Sequence, residues 1–316
     1  MTTTASAVRG VQGQTSYAGI VLPTHDEIAE TIAPYVVERH PVDSAAWKAI
    51  AGPVQRYFWK KYHIKRLLKR NSRSQSKVRN EYEETWDFRD WPSPGDMRMK
   101  LTPCTWGDQG LHVRTHGTKR VHLLLLARVL RALKPKTVLE VGAGNGLNIL
   151  VLAAMFPEIR FTSIDLTQAG VAKAHAAQAE ETLPQLLMEY APEPVVDPTA
   201  HRRADIRQGD ASRLEFADNS FDLVYTSLAL EQMQAVRDAA VSECARVASG
   251  HVVNVEPFRE VNDRGTRKHY TIFNNYLDLK IAELPRFGLE PKLTFDDIPH
   301  KVTIGYGLAV SKVRSS

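Results

Sequence analysis

From residue 137 onward, short runs of β-branched and apolar residues alternate with stretches whose apolar positions recur at helical spacing. The runs cover 137–141, 160–165, 205–208, 221–226 and 251–255, and the helical stretches cover 148–155, 168–181 and 236–247. Strand and helix in alternation predict a parallel α/β sheet covered on both faces. Two last runs, 292–295 and 303–310, have no helix between them and predict an antiparallel pair that closes the sheet. Just upstream of the alternation, Val121, Leu124, Leu125, Leu126, Val129, Leu130 and Leu133 form an apolar helix that stops before Pro135 and suits one face of that sheet.

The first 115 residues read differently, with helical segments and charge blocks in place of strand signals. Thr24 and Glu27 have the spacing of a capping box, and the helix they open runs through Ala33 until Pro34 ends it. The expected organisation is a helical cap over residues 1–115 and a core domain over 116–316. A connection at 182–205 with prolines at 184, 192, 194 and 198 is longer than a usual αβ loop. It reads either as a lid or as an extended helix and loop.

Composition narrows the class without naming a chemistry. With 316 residues, 43% hydrophobic and 24% charged, the chain is an ordinary globular protein of one large or two modest domains, neither disordered nor collagen-like. No repeat of solenoid length is visible. The longest apolar stretch, 121–133, is cut by Arg128 and too short for a bilayer, and the N-terminus lacks the apolar core of a secretory signal. A cytoplasmic protein is the expectation. Cys104 and Cys244 stand far apart with no neighbours at metal-ligand spacing, so neither a disulfide framework nor a metal site is expected.

The net charge of +5 is unevenly spread. Ten Lys and Arg residues and no acidic residue fall within 53–79, leaving the rest of the chain acidic. Tyr57, Phe58, Trp59 and Tyr62 lie inside this segment. The aromatics either pack against the core while the cationic heads stay in water, or they serve an anionic partner such as RNA or a membrane surface. The acidic stretch at 81–96 could also neutralise the segment internally.

The sharpest chemical signal is Val138-Leu139-Glu140-Val141-Gly142-Ala143-Gly144-Asn145-Gly146-Leu147-Asn148, an apolar strand entering a glycine turn and then a helix. Glycines allow the backbone to turn sharply and to approach a ligand. The dinucleotide pattern G-x-G-x-x-G would need a glycine at Leu147, which disfavours a nicotinamide enzyme. Nineteen residues after Gly146 the next strand ends in Asp165 and Leu166, where a carboxylate can accept hydrogen bonds from vicinal ribose hydroxyls. The competing role for Asp165 is to cap the following helix.

With a third block, Gln208-Gly209-Asp210-Ala211 through Phe221-Asp222-Leu223-Val224, the chain resembles the class I S-adenosylmethionine-dependent methyltransferases, above all their type 11-like subgroup. The resemblance covers residues 121–312. It implies a doubly wound, Rossmann-like sheet of seven strands with an antiparallel last strand, and S-adenosylmethionine as cofactor with S-adenosylhomocysteine as product. On it, Glu140 would orient the turn and the methionine end of the cofactor. Gly142, Ala143, Gly144 and Gly146 would lie beneath it, Asp165 would hold the ribose and Leu166 would pack on the adenine. Asp210 would meet the adenine amino group, Ala211 would offer backbone contact, and Ser227 and Leu228 would lie near the sulfonium.

Acceptor residues are not fixed by the motif. Alignment and exclusion of water supply much of the acceleration in a methyl transfer, and an alcohol or phenol acceptor adds the need for a base. Glu231 and Glu256, at strand ends, and His112, on a cap segment, are the candidates; His116 and His269 are further ones. No Asn-Pro-Pro-Tyr or Asp-Pro-Pro-Tyr follows the fourth strand, where Ser227-Leu228-Ala229-Leu230 stands, which argues against amide or exocyclic-amine methylation. A small-molecule acceptor is therefore the leading expectation, anionic or lipid-linked given the basic segment, with O-methylation ahead of N- or C-methylation on general frequency alone. RNA methylation through the basic segment and a non-catalytic binding partner are the alternatives, and a homo-oligomer is compatible with any of them.

Overall fold

The computed structural model describes residues 16–67, 74–88 and 100–314. The extreme N-terminus, Lys69, Arg70 and Arg73 of the basic segment, and the acidic stretch beyond residue 88 lie outside the described residues.

The chain begins with α1 (His25–Ile32), β1 (Val36–Pro41), α2 (Ala45–Leu67), α3 (Gln75–Phe88), β2 (Leu101–Trp106), β3 (Gln109–Arg114) and α4 (Thr115–Leu133). The core then follows as β4 (Thr137–Val141), α5 (Leu147–Met155), β5 (Arg160–Asp165), α6 (Gln168–Gln178), α7 (Gln185–Met188) and β6 (Asp205–Gln208). It ends with β7 (Phe221–Ser227), α8 (Arg237–Val247), β8 (Ala248–Glu256), α9 (Gly265–Asn274), β9 (Leu289–Phe295), β10 (His300–Lys301) and β11 (Gly307–Val313).

Seven strands form one sheet in the order β6-β5-β4-β7-β8-β11-β9. Pairing is parallel from β6 to β8, and β11 runs antiparallel between β8 and β9. The two final runs therefore pair as the pattern predicted, with β11 spanning Gly307–Val313 in place of 303–310 and residues 300–301 pairing in another sheet. The strands alternate across the sheet as side-chain period demands. Val138 joins the apolar layer under α4 and α5, while Leu139 and Val141 join the layer under α8. Every residue of α5 is buried, which matches a composition that is apolar apart from Asn148. The chain order reverses at β4, whose neighbours β5 and β7 lead to opposite edges, so the ends of these strands open a crevice.

The helices expected ahead of the core are present. α1 opens on the Thr24 capping box, with the Glu27 amide donating to Thr24 Oγ1 at 3.2 Å and the Thr24 amide to Glu27 Oε2 at 2.8 Å. With them comes a second, antiparallel sheet that the sequence pattern did not announce, in the order β1-β3-β2-β10. Its signal was masked because Pro103 interrupts one run and Gly110 and His112 interrupt the other, although Cys104, Trp106, Leu111 and Val113 are all buried. Gly110 is needed for close approach, since a Cβ there would lie 2.1 Å from the Trp47 ring of α2.

Three aromatics of the basic segment face the protein. Phe58 is buried against Tyr270 and Phe273, with ring centroids 5.5 and 5.7 Å away, and Trp59 and Tyr62 lie 5.0 and 5.2 Å from His269 of α9. Tyr57 is exposed, with the Lys61 ammonium 4.6 Å above its ring. The long connection after α6 is a packed wall. Leu183, Leu187, Tyr190 and His201 are buried, and Arg120 donates to the carbonyls of Glu189 and Ala191 at 2.6 and 2.5 Å.

Gly110→Ala is expected to displace Trp47 and destabilise the protein by about 1–3 kcal/mol through overpacking. Urea unfolding followed by tryptophan fluorescence measures this; a midpoint equal to the parent's would contradict the close contact.

Candidate functional site

At the mouth of the crevice the first turn after β4 is held by its neighbours. The Gly142 and Ala143 amides both donate to the Ile164 carbonyl, at 2.9 and 3.0 Å, and the Gly144 amide donates to Asp165 Oδ2 at 2.7 Å. All three glycines adopt positive φ, at 85°, 56° and 79° for Gly142, Gly144 and Gly146. A Cβ on Gly142 would meet that of Ala229 at 2.4 Å, and one on Gly146 would meet that of Ala174 at 2.7 Å. Gly142, Ala143 and Gly144 line the cavity, whereas Gly146 opens α5 and packs it on α6.

Asp165 stands at the cavity wall, two residues before Thr167, the N-cap of α6. Its Oδ1 accepts from the Thr167 amide and hydroxyl at 2.9 and 2.5 Å, capping the entry to α6, while Oδ2 accepts only from Gly144 among the described residues. A carboxylate offers about four acceptor positions, so Oδ2 retains one, on a residue that lines the cavity. Leu166 lies beside it. Across the cavity, Asp210 Oδ1 accepts from the Ser212 amide and hydroxyl at 2.8 and 2.7 Å.

The sequence pattern missed one partner of Asp210. The Gln75 carboxamide of α3 donates to both Asp210 oxygens at 2.9 and 3.0 Å. Glu83 on the same helix accepts from the Gln168 and Ala169 amides at 2.9 and 2.8 Å, capping α6 from outside. A helix from the N-terminal region thus reaches the crevice through two polar contacts. Nothing in a helical charge block announces which of its amides will meet a carboxylate 135 residues away.

Behind the turn, Glu140 is fully buried and does not reach the cavity. It accepts from Asn148 Nδ2 at 2.8 Å and faces the Tyr225 hydroxyl. Burial pushes it up to about 6. It is thus bonded to α5 behind the turn and does not line the cavity. Glu256 is likewise fully buried, and accepts from the Ala229, Leu230 and Glu231 amides at 2.9, 3.1 and 3.3 Å. It fixes the turn after β7, where Leu228 takes the unusual φ of 58° at the cavity wall. Burial, with Glu231 nearby, pushes Glu256 up to about 8.

The cavity encloses about 350 Å³ and continues past the turn to a second half. There Ser227, Leu228 and Glu231 face Thr115, Thr118, Lys119 and His122 of α4, with Lys301 and Tyr306 beyond. Of the acceptor-side candidates, Glu231 is in the cavity. Glu256 is beneath it, and His112 lies on β3 with its Nδ1 3.4 Å from Glu38 Oε1, away from the cavity. His116 stacks on Tyr190 at 4.0 Å, and His269 pairs with Tyr62 at 3.2 Å. Lys119, His122, Lys301 and Tyr306 were not singled out by sequence, because they come from three separate elements that only the fold assembles. His122 is buried, its Nδ1 has no hydrogen-bond partner among the described residues, and burial beside Lys119 and Lys301 holds it well below the usual imidazole range.

Among the described residues no helix is long and apolar enough to cross a membrane, and no three His, Cys, Asp or Glu side chains gather as a metal site.

Residues 139–253 match the family described as a methyltransferase domain. A ribosomal RNA small subunit methyltransferase C from Buchnera aphidicola is 33% identical over 90 residues, which is 28% of this chain and 24% of that protein. The chain thus spans about a quarter of the length of that curated relative. Among solved structures, the [4+2]-cyclase SpnF aligns with a TM-score of 0.56 at 18% identity, over 78% of this chain and 98% of its own. Magnesium protoporphyrin IX methyltransferase from Synechocystis PCC 6803, with bound S-adenosylhomocysteine, aligns with a TM-score of 0.52 at 16% identity, over 77% of this chain and all of its own. Both likenesses concern the fold.

Glu140 and Glu256 bind protons more tightly in the folded protein than at their ordinary value of 4.5. Their contribution to stability is therefore greatest below about pH 4.5 and declines as pH rises through 6 and then 8. Glu256→Gln is expected to flatten the decline between pH 6 and 8, read as urea-unfolding free energy at pH 6, 7 and 8. Identical slopes for parent and variant would contradict the assignment.

Proposed function

We propose that the chain is a class I S-adenosylmethionine-dependent methyltransferase and that it methylates a hydroxyl oxygen of a small molecule held in the second half of the cavity. The observation that supports this reading is the continuity of one cavity, from the glycine turn and the two aspartates to Glu231 and His122. The residues fit the cofactor. A Cβ at Gly142 would close the cradle against Ala229, Asp165 Oδ2 keeps an acceptor position for a ribose hydroxyl, and the Gln75 amide stands in for an amino donor on Asp210. When bound, the cofactor supplies an electrophilic methyl group on a positively charged sulfur.

In this reading Asp165 holds the ribose, Asp210 exchanges the Gln75 donor for the adenine amino group, and Leu166 covers the base. Gly142, Ala143 and Gly144 form the floor, while Ala211, Ser227 and Leu228 complete the wall. Glu140 and Gly146 act from behind, holding the turn and α5. Glu231 accepts the acceptor's hydroxyl proton, and His122, kept neutral, positions that hydroxyl through its imidazole. Excluding water matters as much as the base, because a hydrated hydroxyl is a poorer and less aligned nucleophile.

A second reading, RNA methylation, is favoured by the short match to a ribosomal RNA methyltransferase and by the cationic, exposed side of α2. The inward packing of Phe58, Trp59 and Tyr62 leaves few aromatics there for base stacking. RNA affinity that falls steeply with salt would favour it over the small-molecule reading.

By calorimetry, S-adenosylhomocysteine is expected to bind the parent, with Asp165→Ala about ten- to a hundredfold weaker, since that change removes both a ligand contact and the hold on Gly144. Glu231→Gln is expected to keep that affinity while lowering transfer of a labelled methyl group by about a hundredfold or more. Unchanged binding in Asp165→Ala would sink the cofactor assignment, and unchanged turnover in Glu231→Gln would sink the base.

A further inference from the structure

The second half of the cavity contains two ammonium groups with no carboxylate at ion-pair distance among the described residues. Lys119 projects from α4 one helical turn before His122, and Lys301 comes from β10, its ammonium 5.8 Å from the centre of the Tyr306 ring. Neither forms a salt bridge among the described residues, although Glu140 and Glu231 lie close enough to Lys119 to favour its charge. One oxygen of each accepts a hydrogen bond from another group, Glu140 Oε1 from Asn148 and Glu231 Oε1 from Gln232 Nε2 at 3.0 Å, and the buried Glu256 also favours the charge on Lys119. Burial opposes the charge on Lys119, and Lys301 opposes it further by like-charge repulsion. Two cations sharing a partly desolvated space are stabilised by an anion between them.

Charge balance says where that anion comes from. The cavity lining carries Arg79, Lys119 and Lys301 against Asp165, Asp210 and Glu231, which is neutral overall. The two aspartates and Arg79 belong to the nucleoside end, leaving two cations and one carboxylate in the second half. S-adenosylmethionine brings a sulfonium and an ammonium against one carboxylate, a net positive charge. Counting the lining side chains alone, the filled cavity carries one net positive charge that a neutral acceptor would leave in place; Glu140 and Glu256, behind the wall and near Lys119, offset it only as far as they ionise, and burial pushes them up to about 6 and about 8.

We propose that Lys119 and Lys301 form an anion subsite that selects a methyl acceptor carrying a carboxylate beside its hydroxyl. The proposal rests on the methyltransferase reading above and narrows its substrate class. Tyr306 and His122 border the subsite and add hydrogen-bonding groups without adding charge, so the two lysines dominate its preference.

The test uses full-length protein saturated with S-adenosylhomocysteine, titrated calorimetrically with 2-, 3- and 4-hydroxybenzoate and with the three corresponding hydroxybenzamides. At least one acid is expected to bind ten times more tightly than its amide. Lys119→Gln and Lys301→Gln should each remove that preference while leaving S-adenosylhomocysteine affinity within twofold of the parent, and Lys301→Arg should restore it. Acids and amides binding alike, or a preference that survives both glutamine variants, would overturn the proposal. So would a loss of S-adenosylhomocysteine affinity in Lys119→Gln with 5′-methylthioadenosine affinity unchanged, because the lysine would then hold the cofactor's own carboxylate. Failure of the parent to bind S-adenosylhomocysteine at all would instead remove the underlying methyltransferase reading.

Discussion

The hydrogen bond from the Gly144 amide to Asp165 is the constraint on which the cavity depends. It ties the turn after β4 to the tip of β5 and pulls the left-handed glycines into a close-packed arc. Gly142 then lies so near Ala229 that no side chain could separate them. Ala229 is fixed in turn because its amide donates to the buried Glu256 at the end of β8. One continuous set of contacts thus joins the ends of four strands, and the crevice between them has little freedom to close or drift. Carboxyl side chains serve here as backbone anchors, since a buried N–H left without an acceptor is costly.

Much of this was legible in the sequence, for identifiable reasons. The strands from β4 to β8 stand out because strands covered on both faces need near-continuous apolar runs, as in residues 137–141 and 221–227. The glycine turn and Asp165 stand out because few residues satisfy a positive φ or cap a strand end facing a ligand. Glu256 illustrates the limit. A carboxylate at a strand end reads equally as a base or as an anchor, and only its three backbone donors decide for the anchor. His112 shows the same ambiguity, resolved when β3 placed it beside Glu38.

The second half of the cavity was not legible, because it is assembled from distant pieces. Lys119 and His122 come from a helix whose apolar residues dominate its pattern, and Lys301 from a two-residue strand that bridges the main domain to the N-terminal sheet. Gln75 arrives from a helix far upstream. Long-range pairing of this kind leaves no local period in the chain. These are also the groups that distinguish one acceptor from another, whereas the sheet and the turn are shared by proteins of many activities.

The claim that one crevice, framed by the glycine turn and the two aspartates, receives the cofactor is tested most directly by hydrogen exchange followed by mass spectrometry, with and without S-adenosylhomocysteine. The account predicts slowed exchange confined to peptides covering residues 142–148, 165–170, 209–212 and 227–233, together with a change in α3 as Gln75 releases Asp210. Saturating ligand that leaves these peptides unchanged, or protects the basic face of α2 instead, would contradict it.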